Sequence, residues 1–78
     1  MTNIEWLMQE LSAGRPVSTP RAIRERGWWR LAAGVEELAR QGWNIARIYG
    51  PNRVAVYVMH GTPVTYLARQ LALPLVAL

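Results

Sequence analysis

The sequence has no cysteine, no lysine and no aspartate. Without cysteine, neither a disulfide nor a thiolate metal site can help to hold the chain together. Without aspartate, every acid is a glutamate, and a single histidine, His60, stands beside Gly61 at the end of a strand-like run. Glu36 and Glu37 are adjacent, so on a helix they point about 100° apart and do not pair for acid–base work. Glu5 and Glu10 are too scattered to do so either, and no glycine-rich loop could cradle a phosphate. These absences argue against an enzyme and predict no catalytic residue, no metal site and no cofactor. No apolar run approaches the roughly 18 residues of a membrane span, so no membrane partner is expected. The opening MTNIEWLMQE carries acids and no basic n-region, which argues against a secretory signal and makes a cytoplasmic protein the expectation.

What is present is arginine. The chain of 78 residues has a net charge of +4, and all nine of its basic residues are arginine. Arg15, Arg21, Arg24, Arg26 and Arg30 fall in one short segment, relieved only by Glu25. Such a cluster attracts a polyanion, by counterion release where the partner is nucleic acid. Charge alone does not separate DNA from an acidic protein surface. The length allows one domain, 1–78, with a small core, and a hydrophobic content of 51% is too high for disorder.

The organising stretch is Gly27–Gly42, GWWRLAAGVEELARQG, an amphipathic helix with a turn glycine at each end. Leu31, Val35 and Leu38 recur at helical spacing as its inner stripe. Ala33 and Gly34 are expected side by side on the exposed part, a bare patch where a partner could approach closely. Gly42 suits the left-handed residue that closes a helix.

Ahead of it, residues 3–13 read as a helix. Thr2 and Glu5 have the spacing of a capping box, and Ile4, Leu7, Met8 and Leu11 form the buried stripe. Trp6 falls opposite that stripe, either as an interface anchor or packed under a later segment. Val17 either plugs into the core or starts a very short strand. Ser18-Thr19-Pro20 announces a second helix over about 20–26, broken at Gly27. Of Trp28 and Trp29 in the turn, one fills the space between helices and the other is exposed.

After the central helix, WNIARIY (43–49) and VAVYVM (54–59) read as a hairpin around a type I turn at Gly50-Pro51-Asn52-Arg53. Val54, Val56 and Val58 share a face. Ile45 and Ile48 point to opposite faces, which a bulge or an early twist would resolve. Thr62-Pro63 starts one more amphipathic helix over about 63–72, with Val64, Leu67, Ala68 and Leu71 as its apolar face, and an apolar tail follows Pro74. That tail needs burial, on the chain's own core or on a partner.

Three short helices and a two-stranded hairpin match an α+β winged helix-turn-helix over 3–59, with an additional C-terminal helix and tail at 62–78. In that architecture the third helix enters the major groove and the hairpin touches backbone or minor groove. Ile4, Leu7, Leu11 and Gly14, then Thr19-Pro20 and Ala22, then Arg30-Leu31-Ala32-Ala33, Val35, Leu38, Gly42, Trp43 and Ile45 together resemble the small helix-turn-helix proteins of phages and prophages. The likeness covers about residues 4–49. Arginine is usual in that family at the position of Gly34, and basic residues at those of Ala39 and Gln41. Here Glu36 and Glu37 stand near the gap, and the arginines have moved upstream. Ala22 and Gly27 lie five apart, which suits a winged variant with a longer turn.

The resemblance implies a DNA-binding regulator or recombination accessory protein acting on double-stranded DNA. Arg21, Arg24, Arg26 and Arg30 would contact phosphates or guanine edges, Arg40 would add a contact from the main helix, and Arg47, Asn52 and Arg53 would act from the wing. One small domain makes few contacts, so a homodimer is the expected state, with the 63–72 helix and its apolar tail as the seam. The competing expectation is a protein-binding inhibitor of a host defence complex, anti-CRISPR-like, aimed at a host protein or nucleoprotein machine. Trp6, Trp28, Trp29, Leu67 and Leu71 would then form the interface.

Overall fold

A computed structural model describes residues 1–50 and 53–78, apart from the side chains of 64, 66 and 68. The first helix, α1, runs Asn3–Ser12 and opens on the expected capping box: the Thr2 side chain accepts from the Glu5 amide, and the Glu5 carboxylate accepts from the Thr2 amide, both at 3.1 Å. Strand β1 (Val17–Ser18) leads directly into α2 (Thr19–Arg26), because Ser18 is both strand residue and cap, its Oγ accepting from the Arg21 amide at 3.3 Å. The helix α3 covers Leu31–Arg40. Strands β2 (Ile45–Tyr49) and β3 (Ala55–Met59) follow, then α4 (Pro63–Gln70) and β4 (Leu75–Ala77). No helix among the described residues is long and apolar enough to cross a membrane.

The expected hairpin is the middle of something larger. The four strands form one antiparallel sheet in the order β1-β3-β2-β4. Val17 therefore does two things at once: it starts a strand, opposite Tyr57, and it is fully buried. The expected bulge is absent. The β2–β3 ladder is continuous from Ile45 opposite Met59 to Tyr49 opposite Ala55. The poor alternation of β2 has a different cause, burial on both faces. Ile45 and Tyr57 join the main core with Leu7, Leu11, Leu31, Val35 and Leu38, whereas Ala46, Ile48 and Val58 form a second cluster on the opposite face, flanked by Val56, Leu73 and Leu75. Val56 and Val58 share that second face as expected, while Val54 lies before the strand and is exposed. The type of the turn at Pro51 and Asn52 falls outside the described residues.

Helix α4 packs against β3 and β4. Its Pro63 sits at the helix start, but Thr62 does not cap it. The Thr62 hydroxyl donates instead to the Met59 carbonyl at 3.0 Å, and the Thr62 carbonyl accepts from the Thr65 hydroxyl at 2.6 Å. Satisfied in this way, Thr65 is buried, while Leu67 and Leu71 are exposed. The apolar tail is covered in part by the chain's own core: it pairs as β4 on the outer side of β2, with Leu75 packed against the second cluster, while Val76 and Leu78 stay exposed.

Candidate nucleic-acid interface

Helix α3 buries Leu31, Gly34, Val35 and Leu38, an i, i+3, i+4, i+7 stripe. Gly34 therefore belongs to the inner face, and the bare patch expected around it is filled. A Cβ at Gly34 would lie 2.5 Å from two ring carbons of Trp28 and 3.2 Å from the Ile4 Cδ1. Trp28 reaches this slot because Gly27 takes a left-handed φ of 61°, turning the chain back over α3. Trp29, the next residue, points the other way and is 75% exposed. The exposed face of α3 is left with Ala32, Ala33, Glu36, Glu37 and Arg40.

Trp6 is also an inner residue, 9% exposed, which removes it from the candidate protein interface. The Arg21 guanidinium covers its ring at 5.4 Å from the centroid. Arg21 itself is enclosed. It donates to Glu10, to Glu25 and to the Pro16 carbonyl, the last at 2.8 Å. Arg15 closes the other side of Glu10, donating from Nε at 2.9 Å and from Nη2 at 2.6 Å. Glu10 is thus a buried carboxylate between two guanidiniums. The hydrogen bonds from Arg15, with help from Arg21, hold its carboxyl below the usual range against the opposing effect of burial. The same partnerships raise Arg15 through Glu10 and Arg21 first through Glu25.

The arginine cluster of the sequence consequently divides in two. Arg21 fastens α2 to α1 through Glu10, and Arg15 closes over the same carboxylate. Arg26 donates to the Asn3 side chain at 3.1 Å and to the Met1 carbonyl at 2.8 Å, tying the end of α2 to the start of the chain. Arg40 pairs with Glu37 at 3.0 Å on the surface of α3. Among the described residues, Arg24, Arg30 and Arg53, with Arg69 on α4, are exposed and make no ion pair. Arg24 lies in the last turn of α2, Arg30 sits at the N-cap of α3, and Arg53 stands between β2 and β3. Arg53 has a φ of 59°, a left-handed conformation that disfavours any residue but glycine, asparagine or aspartate.

Arg47 occupies the same sheet face as Ile45 and Tyr49 by alternation. Its guanidinium lies 5.3 Å from the centroid of the Tyr49 ring, and its Nε is buried without a hydrogen-bond partner among the described residues. Asn52 lies outside the described residues. Among those described, no group of three histidine, cysteine or acidic residues could hold a metal ion.

Sequence reasoning missed Glu10 as the hub of the arginine cluster. The signal was weak, since Arg21 lies eleven residues away, and Glu10 falls beside the apolar stripe of α1. It also missed Gly34 as a receiving slot, although its place three residues after Leu31 puts it on the buried side. The chain matches no protein-family model, no curated protein and no solved structure.

Proposed function

We propose that this chain is a winged-helix protein of phage type that binds double-stranded DNA in the cytoplasm, as a transcriptional regulator or recombination accessory factor. The observation that carries the reading is the disposition of Arg24, Arg30 and Arg53, the exposed arginines at the end of α2, the start of α3 and the β2–β3 hairpin. In a winged helix these are the places that straddle a DNA groove. The pairing of β1, which lies between α1 and α2 in the chain, with β3 supports the same reading, because it ties the β2–β3 hairpin to the helices. Strand β4 widens the hairpin on its other side, so the wing in this reading is the β2–β3 turn and not a free two-stranded ribbon.

In this reading Arg24 and Arg30 neutralise phosphates on either side of the groove that α3 enters. Ala32 and Ala33 let the α3 backbone approach the base edges closely. Glu36 accepts from a cytosine amino group, while Glu37 is neutralised by Arg40. Arg53, with Arg47 and Asn52, contacts the backbone from the wing. With few direct base contacts, affinity is dominated by phosphate neutralisation and falls steeply with salt.

One observation favours a second reading. Trp29 is exposed beside a helix face whose small and acidic residues would repel phosphate as readily as read bases. A solvent-facing tryptophan next to arginine is the usual composition of a protein-binding hot spot. That reading makes the chain an anti-CRISPR-like inhibitor of a host protein or nucleoprotein complex.

The two separate in a titration of random-sequence duplex DNA at low and physiological salt. The regulator reading expects binding that weakens with a log–log slope of roughly −3 to −5 for about three to five phosphate contacts. A chain that ignores duplex DNA at low salt would overturn it.

A further inference from the structure

Strand β4 is one of the two edges of the sheet, and its three residues carry no charge. Natural edges are blunted by short length, charge, bulges or proline, and of these β4 has only its short length. From Gln70 to Leu78 there is no charged residue, and Pro74 precedes the strand rather than interrupting it. The Pro74 carbonyl accepts from the Tyr49 amide at 3.1 Å, and the Leu78 amide donates to the Ile45 carbonyl at 3.0 Å. These bonds, with Val76 opposite Arg47 between them, assign the backbone groups of 74, 76 and 78 to β2. By alternation the N–H and C=O of Leu75 and of Ala77 point outward. Val76 in the strand and Leu78 just after it are large apolar side chains, 40% and 41% exposed.

We propose that this edge joins a second copy of the chain, β4 against β4, antiparallel about a two-fold axis through Val76. The outward groups fit their own rotated copy. Leu75 faces the copy's Ala77, Ala77 faces the copy's Leu75, and each facing pair exchanges two N–H···O bonds. Val76 meets its twin in the non-hydrogen-bonded position, where side chains approach most closely. The interface is isologous and closed, so it ends at a dimer. A chain of net charge +4 repels its copy at most places, and an anionic partner is drawn to the arginines. The uncharged edge selects instead by register and apolar fit, which the copy satisfies at every outward group. This dimer does not depend on what α3 contacts, and it narrows the expected seam from the α4 helix and tail to the tail alone.

The test uses the full chain. Light scattering after size exclusion is expected to give a dimer mass at high micromolar concentration. Ala77→Pro removes an outward donor without touching the β2 ladder, and Val76→Lys puts two like charges on the axis. Both are expected to be folded monomers by circular dichroism. The sequence has no cysteine, so Val76→Cys offers a single thiol. It is expected to form a disulfide-linked dimer about tenfold or more faster than exposed Leu67→Cys under the same oxidant, because the paired edge raises the effective thiol concentration. A monomeric wild type overturns the proposal. So does a dimer in which Leu67→Cys links as fast as Val76→Cys. Duplex DNA binding, measured separately on the same samples, does not enter either outcome.

Discussion

The indole of Trp28 lies in the slot that Gly34 leaves on α3, so close that a Cβ there would fall 2.5 Å from two of its ring carbons. This contact couples the α2–α3 turn to the middle of the central helix. It also sets Trp28 and Trp29 in opposite environments although they are neighbours in sequence.

Gly34→Ala therefore opposes two effects. In a free helix alanine is favoured over glycine by about 1 kcal/mol. Here the added methyl must displace a half-buried ring, and overpacking costs about 1–3 kcal/mol. The clash is expected to win, lowering Tm and shifting tryptophan emission to the red. In a Trp28→Ala background the same substitution should become neutral or stabilising. A double-mutant cycle by thermal denaturation checks both, and a stabilised Gly34→Ala single variant would show that the ring moves aside at no cost.

The Glu10 cluster predicts how stability responds to acid. Its folded carboxyl lies below the ordinary glutamate range, held there first by Arg15 and then by Arg21. The unfolded chain thus binds a proton at a higher pH than the folded one. The stabilisation is complete above the ordinary value of about 4.3 and is lost as the pH falls through the lower folded value. Urea midpoints between pH 7 and pH 3 should drop over the acid end. Glu10→Gln should flatten that drop and cost about 2 kcal/mol at neutral pH, since it weakens hydrogen bonds from two guanidiniums. An unchanged acid limb in Glu10→Gln would assign the pH dependence to other carboxylates.

Much of the architecture is legible in the sequence where the signal is local. The Thr2–Glu5 box, the Ser18 cap and the Leu31, Val35, Leu38 stripe all depend on neighbours within a turn or two. What the sequence hides depends on partners far along the chain. Val17 becomes a strand because Tyr57 lies opposite it. Ile45 and Ile48 are both buried because helices and the C-terminal segment cover opposite faces of the sheet. The arginine segment reads as one basic patch because nothing local shows that Glu10 takes up Arg15 and Arg21. Gly34 reads as bare because a residue without a side chain has no hydropathy to reveal its inward position.

Trp29 offers the sharpest separation of the two functional readings. It is 75% exposed, so Trp29→Ala should change stability by less than about 0.5 kcal/mol. Under the DNA reading it should leave the salt slope unchanged, because tryptophan neutralises no phosphate. Under the protein-directed reading it should remove a hot spot, with a loss of about 2 kcal/mol or more in partner affinity. Calorimetry of the variant and a duplex titration at two salt concentrations measure both quantities on one preparation.

Arg53 combines function and strain in one residue. Its φ of 59° is a conformation that glycine adopts freely and arginine does not. Holding a non-glycine residue there costs on the order of 1 kcal/mol or more. Arg53→Gly is therefore expected to raise Tm while it removes one phosphate contact and lowers the salt slope by about 1. Arg24→Gln and Arg30→Gln should lower the slope by a similar amount with no gain in stability, since neither has the positive φ of Arg53. Arg21→Gln should behave in the opposite sense: a loss of stability through Glu10 and Glu25, with little change in slope. A more stable Arg53→Gly protein that binds duplex DNA as well as the wild type, with the same salt slope, would mean that the hairpin does not touch the backbone.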